Sequence, residues 1–164
     1  MKRTNDLRVL AIREALYEEI VGADVLIATA LNALLDGVDS PSLPLLAGLT
    51  RREEGDAHDL FNAVVNELNI APPTPAKTTP ERWNLVRWLC QALVDGELKP
   101  DYAGRLIWWE GWDELGYPES LRPLVGQVSE WDDWTPSWTI DRHQIGQLIV
   151  DEAKKLLDGP WPPK

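Results

Sequence analysis

The sequence predicts an all-α protein: a single compact, bundle-like orthogonal array of about seven or eight helices. Three observations predict it. Apolar residues fall at i, i+3, i+4 spacing in one segment after another. No segment sustains the period-two alternation of β-branched residues that a half-buried strand needs. Helix start and stop signals punctuate the chain throughout, with Ser, Thr or Asp before the apolar runs and Gly after them. A length of 164 residues fits one domain, 1–164, made of an N-terminal helical half (1–70) and a Trp-rich acidic half (80–159).

Residues 5 to 35 read as helix in two pieces. Leu7, Leu10 and Ala11, then Leu16, Tyr17, Ile20 and Val21, follow one-sided spacing. Gly22 and Asp24 mark the break, with Asp24 as a cap. The second piece is apolar on most sides (Val25, Leu26, Ile27, Leu31, Leu34, Leu35), which predicts a buried central helix ending at Asp36-Gly37. Ser40-Pro41 restarts a short helix to Ala47, because proline at the first helical position lacks only an N–H that would be orphaned anyway. Thr50-Arg51-Arg52-Glu53 has the form of a capping box, opening a helix with Ala57, Leu60, Phe61, Val64, Val65 and Leu68 on one stripe.

Residues 71–80, APPTPAKTTP, hold four prolines and form the one clear linker. Thr79-Pro80-Glu81 then starts a helix to about Val94. Its main stripe is Trp83, Val86, Cys90, Leu93 and Val94, with Leu85, Trp88 and Ala92 on the opposite side. Pro100-Asp101 opens a helix through Leu115, stopped by Gly116. Pro118 opens another, with Leu121, Leu124, Val125, Val128 and Trp131 inward. Residues 134–138 are a loop. Asp141 to Gln144 is an acid version of the capping box, flanked by Ile140 and Ile145 at the spacing of a hydrophobic staple. The last helix carries Ile145, Leu148, Ile149, Ala153 and Leu156 inward and stops at Gly159. Trp161 is the only anchor of the proline-rich tail.

The net charge of −11 narrows the functions open to such a fold. It repels phosphates and anionic lipid, so no direct binding to nucleic acid and no membrane role is expected, and a basic partner is favoured. One cysteine, Cys90, excludes an internal disulfide framework. The N-terminal stretch meets Glu14, Glu18 and Glu19 before any continuous apolar run and does not read as a signal peptide. The expected setting is the cytoplasm.

Composition departs furthest from average between Arg105 and Trp138, which holds six of the nine tryptophans. From Asp95 to Trp138 there are ten acids against three bases. At about 100° per residue, Tyr102, Leu106 and Trp109 share one helical arc, and Trp108, Trp112 and Leu115 another. Trp83, Trp109 and Trp131 are then accounted for as core. The candidate partner-binding residues are Trp108, Glu110, Trp112, Asp113, Glu114, Asp132, Asp133, Trp134 and Trp138. Indole rings give large anchors at low entropic cost, and carboxylates steer a basic partner.

Catalytic chemistry finds little support. Glu110, Asp113 and Glu114 at i, i+3, i+4 would suit a divalent cation or acid–base work, but a solvated acidic face explains them more simply. His58, among Glu53, Glu54, Asp56 and Asp59, sits in the first half of a helix, where acids complement the dipole. His143 lies off its helix's apolar stripe. Cys90 lies on one, as a small hydrophobe rather than a nucleophile. There is no H-E-x-x-H, paired C-x-x-C, P-loop or G-x-S-x-G. No cofactor and no metal ligand is assigned.

The stretch Asp39-Ser40-Pro41-Ser42-Leu43 with Leu46-Ala47-Gly48-Leu49, then Asn66 to Ile70, resembles small uncharacterised all-helical proteins of actinobacteria. Val128 to Asp133 resembles their later aromatic-and-acid segment. The resemblance implies a bacterial cytoplasmic setting and carries no activity. The expected function is therefore non-catalytic binding of another, basic protein, in its sharpest form an immunity or antitoxin-like neutraliser. A small-ligand module with a Trp-lined pocket for a cation or sugar is the alternative, and an enzyme with a carboxylate cluster the second.

Overall fold

The computed structural model describes residues 4–164, and every regular element among them is helical. These residues form eight α-helices and no strand, as the apolar periodicity predicts. The chain divides into two compact units, Met1–Pro72 and Pro73–Lys164, and the boundary falls inside the proline-rich stretch.

The first unit holds α1 (Asn5–Leu16), α2 (Ala23–Leu35), α3 (Leu43–Ala47), a 3₁₀ segment (Arg51–Asp56) and α4 (Ala57–Leu68). Its core joins Leu7 and Leu10 of α1, Leu26 and Ala30 of α2, Leu43 and Leu46 of α3, and Phe61 and Val64 of α4. The expected break between the first two helices is longer than the sequence implies. α1 ends at Leu16, Glu18 adopts φ 51°, and α2 starts on Gly22 rather than on an Asp24 cap. Tyr17 and Ile20, expected on the inner stripe, are exposed, and only Val21 returns to the core.

α2 is central to its unit, packing against α1, α3, α4 and the 3₁₀ segment, but it is not buried on all sides. Leu26, Ala30 and Ala33 face inward, whereas Val25, Leu31 and Leu35 are exposed. An unbroken apolar run carries no information about how many sides of a helix will be covered.

α3 begins at Leu43, three residues beyond the predicted serine cap. Ser40 is buried and gives its hydroxyl to Glu67 of α4 at 2.6 Å. The same carboxylate accepts from the Ser42 main-chain N–H (2.8 Å) and the Ser42 hydroxyl (2.6 Å). The start of α3 is thus capped from α4 by a residue 25 positions away. These bonds, that from Ser40 foremost, hold the Glu67 carboxyl below its ordinary range. The Thr50–Glu53 capping box forms as expected, but it opens the 3₁₀ segment before α4. Asn69, at φ 55°, supplies the left-handed stop after α4.

The second unit holds α5 (Thr79–Val94), α6 (Pro100–Leu106), a π-helical segment (Ile107–Asp113), a 3₁₀ turn (Glu119–Leu121), α7 (Arg122–Asp133) and α8 (Arg142–Asp158). Here α5 is the helix covered on both of its apolar sides. Leu85 and Ala92 are buried together with Val86, Leu89, Cys90 and Leu93, so both predicted stripes are covered. The helix packs against α6, the π-helical segment and α8. Thr78 with Glu81, and Asp141 with Gln144, close reciprocal capping boxes at the starts of α5 and α8. None of the described helices is long and apolar enough to cross a membrane.

Candidate functional site

The helix predicted from Pro100 through Leu115 is regular only to Leu106. From Ile107 to Asp113, IWWEGWD, it widens into a π-helical turn. Such segments are rare and cluster at functional positions. Packing accounts for its inner side. Ile107 and Gly111 are buried, and a β-carbon on Gly111 would lie 2.7 Å from Val86 Cγ2 of α5. Arg82 of α5 braces the outer turn. Its guanidinium donates to the Glu110 carboxylate at 2.7 Å and to the Glu110 main-chain carbonyl at 3.3 Å.

Widening the turn redraws the arcs. Trp109, assigned to the core by a uniform 100° step, is 51% exposed. Trp108 and Trp112 are half-buried instead of fully presented. Trp112 packs edge to face against Tyr117, with ring centroids 5.5 Å apart. Tyr117 is 61% exposed, and its backbone sits at φ 62°, directly after Gly116 at φ 76°. A bulky residue in the left-handed region is strained, by about 1–2 kcal/mol. The Tyr117 main-chain N–H donates to the Trp112 carbonyl at 2.9 Å, which ties the turn to the π-helical segment.

The predicted acids separate into two kinds. Glu110 is neutralised by Arg82, and Asp132 by Arg105 at 2.7 Å. Arg105 also reaches Asp101 at 3.4 Å, and the Asp132 bond is the main cause that raises its already high pKa. Asp113, Glu114 and Asp133 are exposed and have no ion-pair partner among the described residues. Asp113 and Glu114 follow Trp109 by four and five residues, about one helical turn.

Residues 131–138 are more structural than their composition implies. Trp131 is half-buried under the Arg142 guanidinium, which lies 4.7 Å from its ring centre. Gly146 of α8 makes room for it, since a β-carbon there would meet Trp131 Cζ3 at 3.1 Å. Trp134 donates its indole N–H to the Ile140 carbonyl at 2.8 Å and closes the loop before α8. The Trp138 main-chain N–H donates to Thr135, and its ring is half-buried.

The candidate acid–base groups fall elsewhere. His58 Nε2 lies 3.6 Å from Glu14 Oε1 of α1, beyond hydrogen-bond length. Burial raises the Glu14 carboxyl, and the facing His58 partly offsets the effect. His143 is exposed. Burial pushes the Cys90 thiol up to about 12. Among the described residues no three His, Cys, Asp or Glu side chains come together as a metal site.

Tyr117 and Trp109 are the surface residues that sequence reasoning misses. Gly116-Tyr117-Pro118 is visible as a turn, but nothing in it marks which residue takes the left-handed position. No protein-family model, curated protein or solved structure matches the chain.

Proposed function

We propose that this chain is a non-catalytic binding protein whose partner is another, basic protein, and that the contact centres on Trp109 with Trp112, Tyr117, Asp113 and Glu114. The observation that carries the reading is the exposed Trp109, followed about one turn on by two exposed acids, Asp113 and Glu114, that no described base neutralises. Arg82 shows the contrast, since it silences Glu110 and leaves the following acids free. A strained, outward-held Tyr117 widens the aromatic area. Central aromatic anchors ringed by charge are what a tight interface uses: the rings set the dissociation rate and the acids the association rate. The neutraliser form of the proposal adds that the partner's own basic site is occluded.

The test is affinity capture from the source lysate with the native chain and with Trp109→Ala/Tyr117→Ala, followed by titration of the captured protein. A basic protein should bind the native chain, with a Kd that weakens as salt rises. The double variant should lose about 2 kcal/mol or more, roughly thirtyfold in Kd. Equal binding by both chains, or binding indifferent to salt, would sink the reading.

A further inference from the structure

We propose that the cleft between the first three turns of α5 and the tryptophan of the C-terminal tail is a binding site for a small carboxylate that carries a ring. The cleft is about 430 Å³ and is lined by Thr79, Pro80, Trp83, Asn84 and Arg87 of α5 and by Trp161 and Pro162 of the tail. That volume lies in the range of small-molecule sites. Trp83 and Trp161 meet edge to face, with centroids 5.8 Å apart and planes at 90°. Their two planes and the two proline rings make apolar walls suited to a flat or chair-shaped ring. None of these residues belongs to the Trp109 surface, so the site stands or falls separately from the proposed function.

Arg87 decides the charge of the ligand. Arg82, Arg105, Arg122 and Lys155 of this unit each pair with a carboxylate. Arg87 has no ion-pair partner among the described residues, although the chain holds 27 acids against 16 bases. Its guanidinium lies 5.8 Å from the Trp161 ring centre, at the outer limit of a cation–π contact. The ring face that would take a ligand cation is therefore already occupied by a cation, and an added ammonium would meet repulsion. An anion would meet a guanidinium held weakly enough to turn toward it and able to bind a carboxylate through two parallel hydrogen bonds.

The chain's negative charge does not prevent this. Screening confines exposed charges to about 8–10 Å at ordinary ionic strength, so the groups lining the cleft outweigh the distant ones. The nearest acid along α5, Glu81, borders the neighbouring cleft with Pro73 and Pro75 and is tied to the Thr78 main chain. Thr79 and Asn84 add an uncharged hydroxyl and amide for the ligand's remaining polar atoms. Trp161 Nε1 is a further donor, buried without an acceptor, which a small shift of the tail on binding would satisfy.

Two sources share this chemistry, aryl carboxylates and sugar acids. Phenylacetate and glucuronate serve as probes, with phenylacetamide and glucose as their neutral counterparts. Each is titrated into the full chain while the indole N–H resonances of Trp83 and Trp161 are followed, assigned through Trp83→Phe and Trp161→Phe. One of the acids should shift both resonances saturably, and which one does so identifies the source. Its neutral counterpart and Arg87→Gln should each weaken binding by about tenfold or more. Arg87→Lys should keep part of it. Equal binding of the neutral counterpart, full binding by Arg87→Gln in a chain of native melting temperature, or no saturable shift with either acid would each overturn the proposal.

Discussion

Single carboxylates illustrate how far one side chain's surroundings can depart from its place in the sequence. Glu67 follows the stripe of α4 as an ordinary polar residue, yet it accepts three hydrogen bonds from Ser40 and Ser42. Its folded pKa is lowered, so its contribution is complete above the ordinary value of 4.5 and disappears as pH falls through the lower folded value. Glu67→Gln should reduce the denaturant midpoint at neutral pH, and the gap to the native chain should narrow below pH 4.5. Glu14 has the opposite sign. Its folded pKa is raised by burial, so stability declines as pH rises from 4.5 through the raised value. Glu14→Gln should therefore raise the neutral-pH midpoint, a gain that fades in acid. Cys90, pushed up to about 12, should resist thiol reagents in the folded chain and react once denaturant unfolds it. The fate of Cys90 was legible, because its position on an apolar stripe already implied burial. Those of Glu67 and Glu14 were not, since their partners are distant in the chain.

Helix turns explain why the tryptophans depart from the faces that a uniform 100° step assigns them. Caps are local chemistry, and the Thr50 and Asp141 boxes both form at the residues predicted for them, although the Thr50 box opens a 3₁₀ segment. The π-helical turn is not local chemistry. It depends on Gly111 against Val86 and on Arg82 reaching Glu110, and it moves Trp109 from the inner arc to the outside. Gly111→Ala should cost about 1–3 kcal/mol by overpacking. So should Gly104→Ala, where a β-carbon would lie 2.5 Å from Val128 Cγ2. Gly126 of α7 provides the contrast. Nothing lies within 4 Å of its missing β-carbon, and an alanine there should stabilise by about 0.5–1 kcal/mol through helix propensity. Chemical denaturation of the three variants checks the order. A stable Gly111→Ala chain would remove the packing account of the π-helical turn.

At the scale of the whole chain, the all-α class was the most legible feature, because helical periodicity is repeated in every segment and any one misreading leaves it standing. The coverage of each helix was less legible. α2, the more apolar helix, packs against α1, α3, α4 and the 3₁₀ segment yet leaves Val25, Leu31 and Leu35 exposed, whereas α5, with its mixed faces, is buried on both of its apolar stripes. Composition records what a helix can bury and says nothing of which faces its neighbours will cover. The net charge of −11 acts on the molecule as a whole and should keep it off polyanions. Immobilised heparin should fail to retain the chain at low salt, and retention would point to a basic surface that the ion pairs of Arg82, Arg105 and Arg122 do not predict.

All nine tryptophans, Trp83 to Trp161, lie beyond the boundary at Pro72. The protein therefore carries an optical label confined to one of its two units. Indole emission reports on Pro73–Lys164 alone, whereas far-ultraviolet circular dichroism weighs the helices of both. Overlaying the two melting curves would reveal whether the units come apart together or in sequence, with no dye, no cleavage and no engineered residue.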